Sequence, residues 1–204
     1  MVLRFTIHTE YYSTFAYMKF GSIILSGGKS SRFGTDKGLF VFRKKQMIEY
    51  ALEMAQIFST KILISANQKD YLRFGYPVIH DIYPELGPMG GLYSSLMESN
   101  LALNLILPCD SPFISEELIQ KLIDTYNGEE ILLFETADGK IHPLIGFYHK
   151  SILESMQEHI KSKKVKLISF IRSRSHNIIK LSHEDALQTC FRNFNSQKDL
   201  PNDW

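Results

Sequence analysis

The sequence SIIL at residues 22–25 runs directly into SGGKSSRFGTDKG at residues 26–38. A short apolar run that stops at glycines predicts a buried strand followed by a loop. Glycines let the backbone approach a ligand closely, and clustered backbone N–H groups form a concave anion site. Lys29, Arg32 and Lys37 add cations that can bond phosphate oxygens. We interpret the loop as a polyphosphate-binding element, the alternative being a solvated surface turn.

Two common phosphate-binding motifs do not fit this loop. The letters GKS at residues 28–30 imitate the end of a Walker A motif, but that motif requires a glycine where this chain has Ile23. The spacing G-x-G-x-x-G is absent as well. The loop is therefore neither an ATPase P-loop nor a dinucleotide fingerprint.

Length and composition limit the class of protein. The chain has 204 residues, 44% of them hydrophobic and 22% charged, which suits one sizeable globular domain. A net charge of +1 gives no general attraction for nucleic acid or for an anionic membrane, so we expect neither as a partner. Two widely separated cysteines, Cys109 and Cys190, favour a reducing, cytoplasmic location.

The first residues differ from the rest of the chain. Residues 1–17 are polar and aromatic and lack the continuous apolar core of a secretory signal. Met18 stands directly before the first predicted strand, so it is a candidate start. We expect an N-terminal extension at residues 1–17 and a single domain at residues 18–204.

Apolar runs and helical spacings alternate along the chain. Strands are predicted at residues 20–25, 61–66, 77–79, 103–109, 131–134 and 144–148. Helices are predicted at residues 47–58, 90–99, 118–126, 152–160 and 165–171. This alternation predicts a three-layer, Rossmann-like α/β fold: an open, mostly parallel sheet with helices on both faces. Ligands of such sheets bind at the carboxyl ends of the strands, where Asp81 and Asp110 also fall.

Two further stretches could contribute to a site at that edge. LPCDSP at residues 107–112 places Asp110 at the end of a predicted strand, where a carboxylate suits Mg²⁺ or simply caps a turn. Cys109, in the same strand, is predicted to be a small buried apolar residue. DIYPELGPMGG at residues 81–91 predicts a rigid turn and a helix N-terminus open to a ligand, or a plain connecting loop.

Taken in order, these motifs resemble those of the molybdenum cofactor guanylyltransferases. The family's LAGG…RMG…DK loop reads LSGG…RFG…DK here, and its GPLxG turn reads GPMGG. Five family motifs correspond to residues 25–37, 87–91, 109–112, 142–144 and 191–200, so the resemblance covers roughly residues 19–200. Residues 43–46 read RKKQ in place of the family's Gly-Lys-Pro turn, so the structure of that loop is not predicted.

The resemblance implies a nucleotide-diphospho-sugar transferase fold and a reaction that moves GMP from GTP to molybdopterin, releasing pyrophosphate. It implies Mg²⁺ as the cofactor, bound by Asp110, and a catalytic set of Arg32, Lys37 and Asp110. It also implies transient contact with molybdoenzymes or cofactor-insertion proteins. The residues implied to contact GTP are Leu25, Gly27, Gly28, Lys37, Asn67, Asp81 and Asp110.

On the molybdopterin side, the resemblance implies Asn193 and Asn195. As a bare residue, Asn195 is more simply a helix N-cap before residues 196–200.

Two alternatives to GMP transfer remain at this point. The first is a cytidylyltransferase that acts on molybdopterin or on a sugar or polyol phosphate. Such relatives usually carry Ala-Ala-Gly where this chain has Ser-Gly-Gly at residues 26–28, and the small Gly27 leaves room for a purine edge. The second is a nucleotide-binding regulatory protein without turnover. The joint presence of Lys37 and Asp110 argues against it, since a binding-only relative could lose either.

Overall fold

The computed structural model of the protein describes residues 18–26 and 36–192. The strands within these ranges are β1 (Phe20–Leu25), β2 (Val41–Phe42), β3 (Lys45–Gln46), β4 (Ile62–Ser65), β5 (Val78–Ile79), β6 (Leu103–Pro108), β7 (Ile131–Glu135), β8 (Ile141–His149) and β9 (His176–Lys180). The α-helices are α1 (Met47–Phe58), α2 (Pro88–Glu98), α3 (Glu116–Thr125), α4 (Leu153–Lys161) and α5 (Leu167–Ile171). The division of the chain at residue 17 stays a prediction, because residues 1–17 lie outside the described part.

Seven of these strands form one sheet in the order β5-β4-β1-β6-β8-β7-β9. β1 lies parallel to β4 and β6, β4 to β5, and β7 to β9. β8 runs antiparallel to both of its neighbours, β6 and β7. The predicted open, mostly parallel sheet is confirmed, with one antiparallel strand inserted in it.

Apolar side chains cover both faces of the sheet. In β1 all six residues are buried, and alternate ones point to opposite faces. Ile24 packs in a cluster with α1 and α3 residues such as Ala51 and Leu122. Ile23 packs in a second cluster with α2 and α5 residues such as Leu92 and Phe170. Helices therefore lie on both faces, as predicted, and the architecture has three layers.

Local signals in the sequence explain where two of these helices begin. At α1, Gln46 and Glu49 form a capping box, with the Gln46 N–H donating to Glu49 Oε2 at 2.5 Å. At α3, the Ser115 hydroxyl accepts from the N–H of Leu118, and two glutamates occupy the first turn, where the helix dipole favours negative charge. None of the helices in the described ranges has both the length and the apolarity needed to cross a bilayer.

Parts of the architecture differ from the predicted elements. No helix was predicted between β7 and β8, and a tight turn at Gly139 (φ 78°) joins them, because antiparallel strands need no crossover. β8 also extends over Ile141–His149, beyond the predicted 144–148. Helix α2 begins at Pro88, two residues before its predicted start, since proline is well suited to the first helical position.

The unpredicted loop at residues 43–46 is part of a β-hairpin. β2 and β3 pair through a two-residue turn at Arg43 and Lys44, whose φ angles are 46° and 71°. Turns of this kind usually carry glycine or asparagine, so the letters RK gave no hairpin signal.

Candidate active site

A cleft opens where three parallel strands end at the same level. Leu25 at the end of β1 pairs with Ser65 of β4 on one side and with Pro108 of β6 on the other. The chain segments that leave these ends surround a cleft of about 420 Å³. This is the edge of the sheet at which the sequence predicts a ligand site.

The cleft brings together residues from four separate sequence motifs. Its lining includes every predicted GTP-contacting residue that lies in the described ranges: Leu25, Lys37, Asn67, Asp81 and Asp110. The other predicted site residues lie outside the described ranges: Gly27, Gly28, Arg32, Asn193 and Asn195. The structure thus supports the grouping of these residues, and their individual roles stay predictions.

An ion pair joins the two predicted catalytic residues that are described. Lys37 Nζ lies 3.2 Å from Asp110 Oδ2, with 22% and 18% of the two side chains exposed. Because β1 and β6 are neighbours, the segments that follow them meet across the cleft. The Asp110 carboxylate therefore lines the cleft beside a cation, and its role as metal ligand or turn cap stays a prediction.

Cys109, adjacent to Asp110, is buried as predicted. Burial raises the pKa of its thiol to about 12, and the neighbouring Asp110 charge adds to this. A thiol in that state stays protonated at neutral pH and is a poor nucleophile.

The Asp81 carboxylate is held against the first turn of α2. Asp81 Oδ1 accepts from the backbone N–H of Tyr83 at 2.8 Å, and the Asp81 N–H donates to Asn67 Oδ1 at 3.0 Å. A Cβ at position 90 would lie 2.7 and 2.8 Å from the two Asp81 carboxylate oxygens, so only glycine allows this approach. The pKa of Asp81 is raised overall, because burial raises it by more than hydrogen bonds from Tyr83 and Ser94 lower it. A turn followed by a helix N-terminus, as predicted, is present here, with α2 beginning at Pro88.

The charges around the cleft are unbalanced. Among the described residues that line it, four are carboxylates and one is a lysine: Asp36, Asp81, Glu85, Asp110 and Lys37. A polyphosphate placed here would therefore need further positive charge, from a metal ion or from cations outside the described lining.

No sequence motif pointed to a tyrosine that contacts two residues of the cleft lining, Ser26 and Asp36. Tyr71 is fully buried, and its hydroxyl hydrogen-bonds to Ser26 Oγ and to Asp36 Oδ1. Tyr71 comes from a 3₁₀ turn at Lys69–Phe74, far along the chain from both partners. No local pattern signals such a contact, because it depends on the packing of the folded chain.

A second cleft, of about 360 Å³, lies at the β7–β8 turn beside Phe191 and Arg192. His142 Nε2 lies 2.9 Å from Thr136 Oγ1, and the His142 ring lies 4.3 Å from the ring of Phe191, centroid to centroid. The fold therefore joins the motif at residues 142–144 to the start of the motif at 191–200. Burial lowers the pKa of His142 to about 4.

This shift gives a pH-dependent contribution to stability. The unfolded chain binds a proton at His142 near pH 6.5, whereas the folded chain resists protonation until about pH 4. Stability is therefore lost as the pH falls from 6.5 towards 4. An NMR titration of the His142 ring should give a midpoint near 4, and a midpoint near 6.5 would contradict this environment.

Comparison with known proteins finds similar sequences over most of the chain. Residues 22–178 match the sequence profile of a family described as "MobA-like NTP transferase domain". A Flavobacterium johnsoniae protein named as a probable molybdenum cofactor guanylyltransferase is 34% identical over 179 residues, covering 88% of this chain and 93% of the relative. The molybdenum cofactor guanylyltransferase of Haemophilus influenzae strain 86-028NP is 30% identical over 184 residues, covering 88% and 94%.

The fold is also shared with solved structures. Molybdopterin-guanine dinucleotide biosynthesis protein A from Archaeoglobus fulgidus superposes with a TM-score of 0.74 over 88% of this chain and 94% of that protein. The two sequences are 19% identical, so this likeness concerns the fold.

Proposed function

Since the chain belongs to the family of MobA-like NTP transferases, we propose that it transfers GMP from GTP to molybdopterin. A terminal phosphate oxygen of molybdopterin attacks the α-phosphorus of GTP, the bond from that phosphorus to the α–β bridging oxygen breaks, and pyrophosphate leaves. The observation that carries the proposal is the convergence of Leu25, Lys37, Asn67, Asp81 and Asp110 on one cleft. No protein nucleophile is needed, because the attacking group is itself a phosphate.

In this reaction the protein contributes positioning and charge neutralisation. Lys37 places its ammonium group beside the cleft, where it forms an ion pair with Asp110. We propose that it neutralises the triphosphate as negative charge builds on the leaving pyrophosphate. Arg32 is proposed to assist; it comes from the glycine-rich segment outside the described residues.

The Asp110 carboxylate fits Mg²⁺ as the cofactor. Among the described residues, no group of three or more His, Cys, Asp and Glu side chains forms a ready-made metal site. Mg²⁺ does not require one, because it commonly binds through one or two carboxylates together with substrate phosphates and water. The carboxylate-rich lining of the cleft also calls for added positive charge. When bound at Asp110, Mg²⁺ would supply charge neutralisation and orientation of the phosphates.

We assign the nucleoside end of GTP to the β4 side of the cleft. Asn67 and Asp81, joined by their own hydrogen bond, are proposed to contact base and ribose. Leu25, Gly27 and Gly28 are proposed to line the pocket for the nucleoside end of GTP, where the small Gly27 would leave space for the purine edge.

Molybdopterin is proposed to approach from the second cleft, beside Phe191 and Arg192. Asn193 and Asn195 follow directly in the chain and keep their proposed role on that side. We also propose a cytoplasmic location, which suits two free and buried cysteines. Transient contact with molybdoenzymes or cofactor-insertion proteins is proposed as well.

Nucleotide choice tests this proposal against the cytidylyltransferase alternative. With Mg²⁺ present, GTP at a hundredfold excess over its dissociation constant should add about 2.7 kcal/mol of apparent stability. For a chain of this size that corresponds to a rise in melting temperature of about 5–10 °C. CTP and ATP at equal concentration should raise it less. A larger shift with CTP would replace the guanylyl assignment with the cytidylyl one, and no shift with any nucleotide would remove the site.

A further inference from the structure

Tyr71 occupies an unusual position for a tyrosine. Its side chain is fully buried in the apolar cluster that contains Ile48 and Ala51 of α1. Its hydroxyl nevertheless hydrogen-bonds to Ser26 and Asp36, two residues that line the cleft. A buried hydroxyl that meets two polar side chains fixes their relative positions, since breaking either bond leaves a polar group without its partner.

The chemistry of these groups sets the direction of the bonds. An ionised carboxylate only accepts hydrogen bonds, so the Tyr71 hydroxyl donates to Asp36 Oδ1 and the Ser26 hydroxyl donates to the Tyr71 oxygen. Burial raises the pKa of Tyr71, so the hydroxyl keeps its proton at neutral pH. Loss of this hydroxyl would take a donor from Asp36 and an acceptor from Ser26.

Asp36 carries this restraint to Lys37, its neighbour in the chain. The same Asp36 oxygen accepts from the backbone N–H of Gly38 at 2.9 Å, so the bond spans Lys37. The Gly38 carbonyl in turn accepts from the N–H of Ile48 at 3.0 Å. A Cβ at position 38 would overlap both Ser26 Oγ and the Tyr71 hydroxyl. The Gly38 backbone therefore packs directly against these two hydrogen-bonded side chains.

We propose that Tyr71 is a positioning residue for Lys37: its hydroxyl fixes Asp36 and Gly38, and so the backbone from which the Lys37 ammonium reaches Asp110. The inference rests on the proposed function, in which Lys37 neutralises developing charge. Such neutralisation depends on accurate placement, and a misplacement of about 1 Å can cost roughly a hundredfold in rate. Tyr71 itself does not touch the substrate and acts through Asp36.

The test begins with Tyr71→Phe, which removes the hydroxyl and keeps the buried ring. Its matched control is Tyr148→Phe, because Tyr148 is also fully buried and donates to the Pro143 carbonyl at 2.5 Å. Tyr71→Phe should cost somewhat more stability than Tyr148→Phe, since it removes two hydrogen bonds, one of them to a carboxylate, rather than one. The Tyr71 variant should lower kcat for GMP transfer about tenfold, whereas the Tyr148 variant should stay near the wild-type rate.

A second pair of variants separates positioning from charge. Asp36→Asn keeps an Oδ1 that can accept from both Tyr71 and Gly38, whereas Asp36→Ala removes it. The asparagine variant should stay within about threefold of the wild-type rate, and the alanine variant should resemble Tyr71→Phe. Equal losses in the two Asp36 variants would mean that the charge of Asp36 acts directly, which would overturn the proposal.

The decisive comparison is made in a Lys37→Ala background. If Tyr71 acts through Lys37, adding Tyr71→Phe there should lower the rate no further, so the two effects are not additive. An unchanged rate in Tyr71→Phe alone, or the same tenfold loss in both backgrounds, would overturn the inference.

Hydrogen exchange gives a readout that does not depend on the reaction. The Gly38 amide should exchange faster in Tyr71→Phe and be unaffected in Tyr148→Phe, because only the former loosens its acceptor, Asp36. If the wild type forms no dinucleotide, the proposed function fails. The exchange experiment still tests whether the Tyr71 hydroxyl holds Asp36 and Gly38 in place. Unchanged Gly38 exchange in Tyr71→Phe would contradict it.

Discussion

Lys37→Ala and Asp110→Asn should each lower the rate of GMP transfer by about 100- to 1000-fold. Lys37→Ala removes a cation that acts as charge develops on the leaving pyrophosphate. Asp110→Asn keeps the shape of the side chain and removes the anionic ligand proposed for Mg²⁺, so its residual activity should require a much higher Mg²⁺ concentration. The measurement is pyrophosphate release with GTP, molybdopterin and varied Mg²⁺.

These losses should not arise from unfolding. The Lys37–Asp110 pair is partly exposed, and breaking such a pair costs about 1 kcal/mol or less. Lys121→Ala is a suitable control, because Lys121 pairs with Asp185 at 3.1 Å and neither residue lines the cleft. It should retain the wild-type rate. Near-normal rates in both cleft variants would remove Lys37 and Asp110 from the mechanism.

Gly146→Ala should lower the free energy of unfolding by about 3 kcal/mol. Gly146 lies in β8 opposite Leu133, where β7 shifts its register. An added Cβ would overlap the Leu132 carbonyl oxygen and approach Leu133 Cδ2 to 2.8 Å, so the centre of the sheet would have to move. The melting temperature should fall by about 6–12 °C.

Gly21→Ala in β1 provides the comparison. A Cβ there would meet Asn104 Oδ1 at 3.1 Å and the Lys61 carbonyl at 3.4 Å, which small shifts can relieve. Its cost should stay below about 1 kcal/mol. Equal costs at positions 21 and 146 would show that close backbone approach does not explain the glycine in β8.

Much of the fold was predictable because it depends on local patterns. The apolar run of β1 and the helical spacing of α1 are properties of neighbouring residues, and both elements form where predicted. The grouping of Lys37 with Asp110 followed from one added rule, that parallel strands end at a common edge. The rule applies to this pair because β1 and β6 are adjacent, parallel strands.

The missed features depend on tertiary context. β9 reads HNIIK and buries little beyond Ile179, so it lacks the apolar pattern of a central strand. The hairpin turn at Arg43 and Lys44 uses residues that seldom adopt positive φ. Tyr71 meets partners 35 and 45 positions away, a contact that no short motif encodes.

The identity of the product tests the proposed guanylyl transfer most directly. The purified protein would be incubated with molybdopterin, Mg²⁺ and either GTP or CTP, and the products would be identified by mass. We expect a GMP–molybdopterin conjugate and one equivalent of pyrophosphate from GTP, with far less product from CTP. A CMP conjugate as the main product, or nucleotide binding without any conjugate, would contradict it.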